Sequence, residues 1–531
     1  MNRMVKYIGA LTIISTFIFG TSTKTTAQQP AYFQQEVDYT IHVKLNDSKH
    51  LLEGQMAFRY KNNSPDTLHF IYIHLWPNGY KDLKTALAKQ IARENGKSYK
   101  LLQNPDNRGQ IDGLAFESLG QPLTFNYDST NKDVGKILLN EPLLPQQEVR
   151  ISTPFRVKIP TLGISRMGHN GQYYAITQWY PKPAVYDKKG WHAMPYLDKG
   201  EFYSEYGSFD VYITVPANYR VAATGELQTQ SEKRWLNELA KNTAQISNFN
   251  PNDVITPSSS GETKTLHYTE KKIHDFAWFA DKRFNVLKDT VTLPSGHAIH
   301  TWAFFTNEKG KAWKKANTYI NDALKYYAEW YGEYPYTNCT AVASPGFGAG
   351  GGMEYPTITN IGPTNNDFML EMVIMHEVGH NWFYGMLGFN ERRYPWLDEG
   401  INSFSETRYM DTKYGDKAKL YKFISDDPKI EKILGIEHLT YPSYHELFYR
   451  FLASINQDMP ANLHSLDYDM KNYGGILYSK TSRIFWHLYH YMGKEAFDNT
   501  MQQFFDKWQY RHPGPDDLRA HFEKSTGEDL S

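Results

Sequence analysis

His376 and His380 stand four residues apart in the stretch FMLEMVIMHEVGHNWFYGML, Phe368 to Leu387. The stretch is apolar on nearly every side, which predicts a helix buried in a core. Four residues make about one turn, so the two imidazoles share a face and can grip one Zn2+ at about 2.0–2.1 Å per nitrogen. Glu377 is the next residue, rotated about 100° around the axis. Its carboxylate then lies beside the metal and not on it, where it can take a proton from an activated water. Such a pentad arises by chance in roughly a few per cent of chains with 19 His and 58 acidic residues. A third ligand sets this one apart: Glu399, in PWLDEGINSFSE. Catalytic zinc takes three protein ligands and keeps one position open, and His376, His380 and Glu399 supply the three. Glu406 follows almost two turns later, on the same face. Histidine ligands usually give their second N–H to a carboxylate or carbonyl, and Glu406 is expected to receive one.

The pattern HExxH, eighteen residues, then Glu resembles the gluzincin aminopeptidases, the family of membrane alanyl aminopeptidase and leukotriene hydrolase. The metzincin pattern is excluded, because it needs a glycine and a histidine where this chain has Phe383 and Met386. The resemblance implies a multidomain α and β chain. An N-terminal antiparallel β-rich domain is followed by a thermolysin-like, mainly helical zinc-peptidase domain. It also implies one Zn2+ per chain and peptide substrates with a free N-terminus.

Further site residues come with the resemblance. Gly351, Gly352, Met353 and Glu354 match the family's Gly-Ala-Met-Glu-Asn exopeptidase motif, with Tyr355 in place of the final Asn. In that motif the glycines let substrate backbone approach a strand edge, and Glu354 would hold the substrate's α-ammonium. Taken alone, the glycine-rich stretch is a flexible turn; no Gly-Lys-Ser/Thr follows to make a phosphate loop. The family's transition-state tyrosine aligns with Tyr478, in Tyr-Ser-Lys-Thr, while Tyr473 lies five residues upstream and is the alternative. Gln178, in AITQWYPKPAVYD, weakly matches the glutamine that reaches the amine site from the N-terminal domain. Two rival readings use the same residues: a thermolysin-type zinc endopeptidase, which does not need Glu354, and a catalytically inactive peptide-binding homologue, which would be expected to lose a ligand or the base.

These side chains need elements to hold them. From Val37 the apolar residues alternate (Val37, Tyr39, Ile41, Val43, then Met56, Phe58, Tyr60) with turn residues between runs, which predicts antiparallel strands with one buried face. Residues 30–281 read as one β-rich domain and 282–531 as the catalytic domain, a strand pair followed by helices. Ala316, Tyr319, Ile320, Ala323, Leu324 and Tyr327 keep helical spacing. Other helices are expected from about Asp398 to Tyr414, Leu477 to Met492 and Glu495 to Trp508.

The chain has 531 residues, enough for two to four domains. A net charge of −1 gives no electrostatic case for nucleic acid or an anionic membrane surface. The one cysteine, Cys339, excludes an internal disulfide and a thiolate zinc cluster, and reads as a small buried residue. Arg3 and Lys6, an apolar run from Tyr7 to Phe19, and small residues up to Ala27 read as a signal peptide, residues 1–27. An exported protein, periplasmic or secreted, is expected, without strong membrane association once the signal is removed.

Overall fold

Alternation along the first half becomes strand because every second side chain can be buried on one face. In β1 (Glu36–Asn46), Val37, Tyr39, Ile41, Val43 and Leu45 are buried and their neighbours are not. This strand lies in a nine-stranded sheet with β2 (Leu51–Lys61), β3 (Glu148–Lys158), β4 (Gly207–Pro216) and β5 (Thr263–Ile273), in the order β5–β4–β1–β2–β3. The pairings are antiparallel, with Ile41 opposite Met56 and Phe58 opposite Ile151, except that β1 and β4 run parallel with Ile41 opposite Val211. The long excursion between those two strands brings the chain back to the same end of the sheet. The computed structural model describes residues 32–345, 351–364, 366–423, 425 and 427–530. Phe33–Ser531 forms one compact unit, and the expected signal peptide, residues 1–27, lies outside the described residues.

A second sheet opens the other half: β6 (Asn285–Thr292), β7 (Ala298–Phe305), β8 (Asn338–Ala343), β9 (Gly352–Tyr355) and β10 (Ile358–Ile361). Its order is β6–β7–β8–β10–β9, so the strand carrying Glu354 is at the edge. β7 and β8 pair in parallel, which requires a crossover. Helix α1 (Ala316–Trp330) supplies it, burying Tyr319, Ile320, Ala323, Leu324 and Tyr327 as the spacing predicts. Cys339, on β8, is fully buried.

Helix α2 (Asp367–Gly379) carries the HExxH pentad. The Asn366 side chain caps it, accepting from the Met369 N–H at 2.8 Å. The helix ends at Gly379, short of the expected Leu387. Beyond it the chain opens into a wide turn, with Gly385, Met386 and Leu387 donating to carbonyls five residues back at 2.8–2.9 Å. An apolar composition says buried and does not say straight. Helix α3 (Ile401–Tyr414) packs beside α2, helix α4 (Pro442–Ser454) follows, and α5 (Thr481–Met492), α6 (Lys494–Trp508) and α7 (Pro515–Thr526) come after it. Both α3 and α5 are entered through π-helical turns, Trp396–Gly400 and Tyr473–Lys480. Among the described residues no helix is long and apolar enough to cross a membrane.

Candidate functional site

Gly379 explains how α2 reaches the centre of the bundle. A Cβ there would lie 2.1 Å from the Tyr327 hydroxyl and 2.2 Å from Asn402 Oδ1, so only glycine lets α1 and α3 close on it. Those two polar atoms bond to each other at 2.5 Å, and Asn402 also donates to the His376 carbonyl at 2.7 Å. The pentad is therefore fixed from both sides.

His376 Nε2 and His380 Nε2 face each other at 3.1 Å, and Glu399 Oε2 lies 3.2 Å from the first and 3.4 Å from the second. The other ring nitrogens are taken: His376 Nδ1 by Glu406 Oε2 at 3.0 Å, and His380 Nδ1 by Asp398 Oδ1 at 2.8 Å. Carboxylates at Nδ1 place the protons there and leave the Nε2 lone pairs pointing at one spot. Three donors crowded this closely repel unless a cation sits among them. An ion at about 2.0–2.1 Å from each of three tetrahedral ligands sets its donors about 3.3–3.4 Å apart. The observed triangle fits that shape. The π turn before α3 is what directs the consecutive residues Asp398 and Glu399 to the same metal-ligand pair.

The electrostatics agree with a site built for positive charge. Burial works against charging His376, yet Glu399 and Glu406 raise its pKa to about 10. Burial would also push Glu399 up, but His380 and His376 hold it well below the usual carboxylate range. A metal must displace the proton the site would otherwise keep.

Around this point lies a cavity of about 770 Å3 whose walls include Glu354, Glu377, Tyr478 and Gly352. Glu377 is buried, and burial raises its pKa to about 7 against the pull of His376 and His380. Its Oε2 has no hydrogen-bond partner, and neither has Glu354 Oε1. Gly352 is needed here, because a Cβ on it would lie 2.4 Å from the Glu377 carboxylate. Gly351 and Met353 also line the cavity; residues 346–350 of the glycine-rich stretch lie outside the described residues. Burial, then Glu377 and Glu399, push Glu354 well above its ordinary pKa, against His380. A carboxyl buried among acids keeps its proton unless a cation pairs with it.

The two candidate tyrosines have different surroundings. Tyr478 donates to Glu399 Oε1 at 2.5 Å and stacks on His376. Tyr473 donates to Glu201 Oε2 at 2.7 Å, and Glu201 in turn pairs with Arg166 at 2.5 Å. Gln178 is not among the cavity walls. Its amide donates to Asp275 at 3.3 Å and its carbonyl accepts from Tyr355 at 3.2 Å, so its polar atoms are used in the core. The tyrosine that replaces the motif's Asn is thus bonded to the glutamine expected at the amine end. The β-rich half instead presents Arg166 and Glu201 to the cavity. Neither had a motif to announce it. Asp398 was legible in PWLDEG as a second charge in an apolar run, but its role needed the π turn.

Residues 316–531 match the Peptidase family M1 domain. Among relatives, a puromycin-sensitive aminopeptidase of Caenorhabditis elegans is 20% identical over 39% of this chain and 21% of its own length. Leucine aminopeptidase 2 of Emericella nidulans is 26% identical over 32% of this chain and 26% of its own length. Leukotriene A-4 hydrolase of Xenopus laevis is 23% identical over 35% of this chain and 29% of its own length. The chain thus spans under a third of the length of these relatives. The fold extends further: an M1 zinc metallopeptidase from Deinococcus radiodurans superposes with a TM-score of 0.58 at 14% identity, covering 93% of this chain and 91% of that one. The fold is shared over almost the whole chain, while the sequence match to the M1 peptidase domain covers residues 316–531.

Proposed function

We propose that this chain, whose residues 316–531 carry an M1 peptidase domain, is a zinc-dependent aminopeptidase that hydrolyses the first peptide bond of peptides with a free N-terminus. The observation that carries the reading is one cavity walled by His376, His380, Glu399, the unpaired Glu377 and the unpaired Glu354. Zinc held by the two imidazoles and Glu399 would supply Lewis acidity, acidifying a water and polarising the carbonyl. Glu377 accepts the proton of the attacking water at its free Oε2 and delivers it to the nitrogen of the leaving amine. Glu354 binds the α-ammonium, and the edge strand β9 offers backbone groups to the substrate. That anchor measures one residue from the chain end to the reacting carbonyl, which makes an exopeptidase. The Tyr478 hydroxyl donates to the carbonyl oxygen as it gains charge, a contact of the kind worth roughly 10²–10³ in rate.

Glu377→Ala is expected to retain one zinc per chain and lose hydrolysis of aminoacyl anilides. Turnover near the parent rate in that variant would refute the assignment. Free and N-acetylated peptides separate this reading from an endopeptidase, which would cleave both. Export is proposed on the basic start and apolar run of residues 1–27; a mature N-terminus at residue 28 in the exported fraction supports it, and an intact Met1 there contradicts it.

A further inference from the structure

Glu406 has two carboxylate oxygens and both are engaged. Oε2 accepts from His376 Nδ1 at 3.0 Å, and Oε1 accepts from the hydroxyl of Tyr441. Tyr441 stands at the mouth of α4, is 1% exposed, and is one of the residues that line the cavity. Its position does not depend on the hydroxyl. The ring is enclosed by Phe368, Phe423, Tyr444 and His445, with centroids 5.9–6.2 Å away, and its backbone N–H donates to the Ala418 carbonyl at 2.6 Å. A buried carboxylate with one oxygen unbonded can turn to find another donor. With both oxygens held, Glu406 cannot turn, and neither can the imidazole it orients.

We infer that Tyr441 is a positioning residue for the metal: through Glu406 it holds the His376 imidazole with Nε2 toward His380 and Glu399. This rests on the reading of His376 as a zinc ligand. It joins α4, an element outside the HExxH…E pattern, to the metal centre, and outer partners of this kind typically alter metal affinity by about 10–100-fold.

Zinc dissociation constants, measured by competition with a chromogenic chelator on the full chain, test it with four proteins: the parent, Tyr441→Phe, Glu406→Leu and the double variant. Tyr441→Phe is expected to weaken zinc about 10–100-fold while keeping the ring in place. If the hydroxyl acts through Glu406, the double variant binds no more weakly than Glu406→Leu alone. Parent-like affinity in Tyr441→Phe overturns the inference, as does a further loss on adding it to Glu406→Leu. Should Tyr441→Phe alone fail to fold, the comparison of the double variant with Glu406→Leu decides in the same way. Failure of the underlying reading looks different: the parent takes up no zinc, or His376→Ala takes it up equally well.

Discussion

Glu377 sits where two influences oppose each other. Burial raises its pKa to about 7, while a divalent cation beside it would pull the value down. Without the cation its value lies near neutral, the range in which a group gains and loses a proton readily. Under the proposed function Glu354 has no such cycle; its buried, unpaired Oε1 would receive the substrate's α-ammonium. Glu354→Gln is therefore expected to raise KM for aminoacyl anilides by roughly 10-fold or more, since a charge-assisted bond is about twice as strong as a neutral one. The same variant should lose discrimination against N-acetylated substrates; an unchanged ratio of free to blocked rates would remove Glu354 from amine recognition. Tyr478→Phe should lower kcat by roughly 10²–10³ with little change in KM, the pattern of an interaction made only in the transition state. A Tyr473→Phe control separates the two tyrosines: Tyr478 walls the cavity and bonds to Glu399, whereas Tyr473 bonds to Glu201.

The elements show what spacing could reveal. The i, i+4 histidines lie on one face because α2 is helical from Asp367 to Gly379, and period two in β1 gave the buried face correctly. What spacing could not show was interruption. Helix α2 stops at Gly379, and α3 and α5 begin as π turns; these depend on close approaches between segments distant in sequence. The helix Gln230–Ala244 was hidden inside the stretch read as β-rich, since an amphipathic surface segment says little about its neighbours. Gln178 was placed by motif likeness at the amine end, and tertiary packing gave its amide to Asp275 instead. Glycine requirements are likewise visible only in three dimensions. Gly379→Ala forces a methyl onto Tyr327 and Asn402 and is expected to destabilise by on the order of 1–3 kcal/mol, read as a lower urea midpoint. An unchanged midpoint would mean that α1 and α3 do not clamp the pentad.

At the scale of the whole molecule, the β-rich and helical parts are joined by buried polar contacts. Arg392 donates to the Gly200 carbonyl at 3.1 Å, the Phe202 N–H donates to Glu391 at 2.9 Å, and His512 meets Glu205 at 3.0 Å. Two other buried histidines make this assembly acid-sensitive. Burial, aided by Lys182, lowers the pKa of His74 to about 3, and burial with Lys182, against Asp275, lowers that of His274 to about 3. The Met194 N–H donates to His74 Nε2 at 3.1 Å, which holds that ring neutral. An unfolded histidine protonates near 6.5, so below that pH the unfolded chain binds protons the folded chain refuses. Stability from these groups is complete above about pH 6.5 and falls as the pH drops toward 3. Because in the zinc-free protein the raised pKa values of His376 and His380 act in the opposite direction, the test compares the parent with His274→Gln: the parent's melting point relative to the variant should be lower at pH 5 than at pH 7.5, and a relative rise at pH 5 would contradict the assignment of a neutral buried ring.

The proposed chemistry depends most on the triangle of His376, His380 and Glu399, and X-ray absorption at the zinc edge on the zinc-loaded full chain reads it directly. One zinc per chain is expected, with two imidazole nitrogens and a carboxylate oxygen at about 2.0–2.2 Å, and with imidazole scattering reduced in His380→Ala. Zinc bound well below one per chain, or a coordination shell without imidazole, would contradict it.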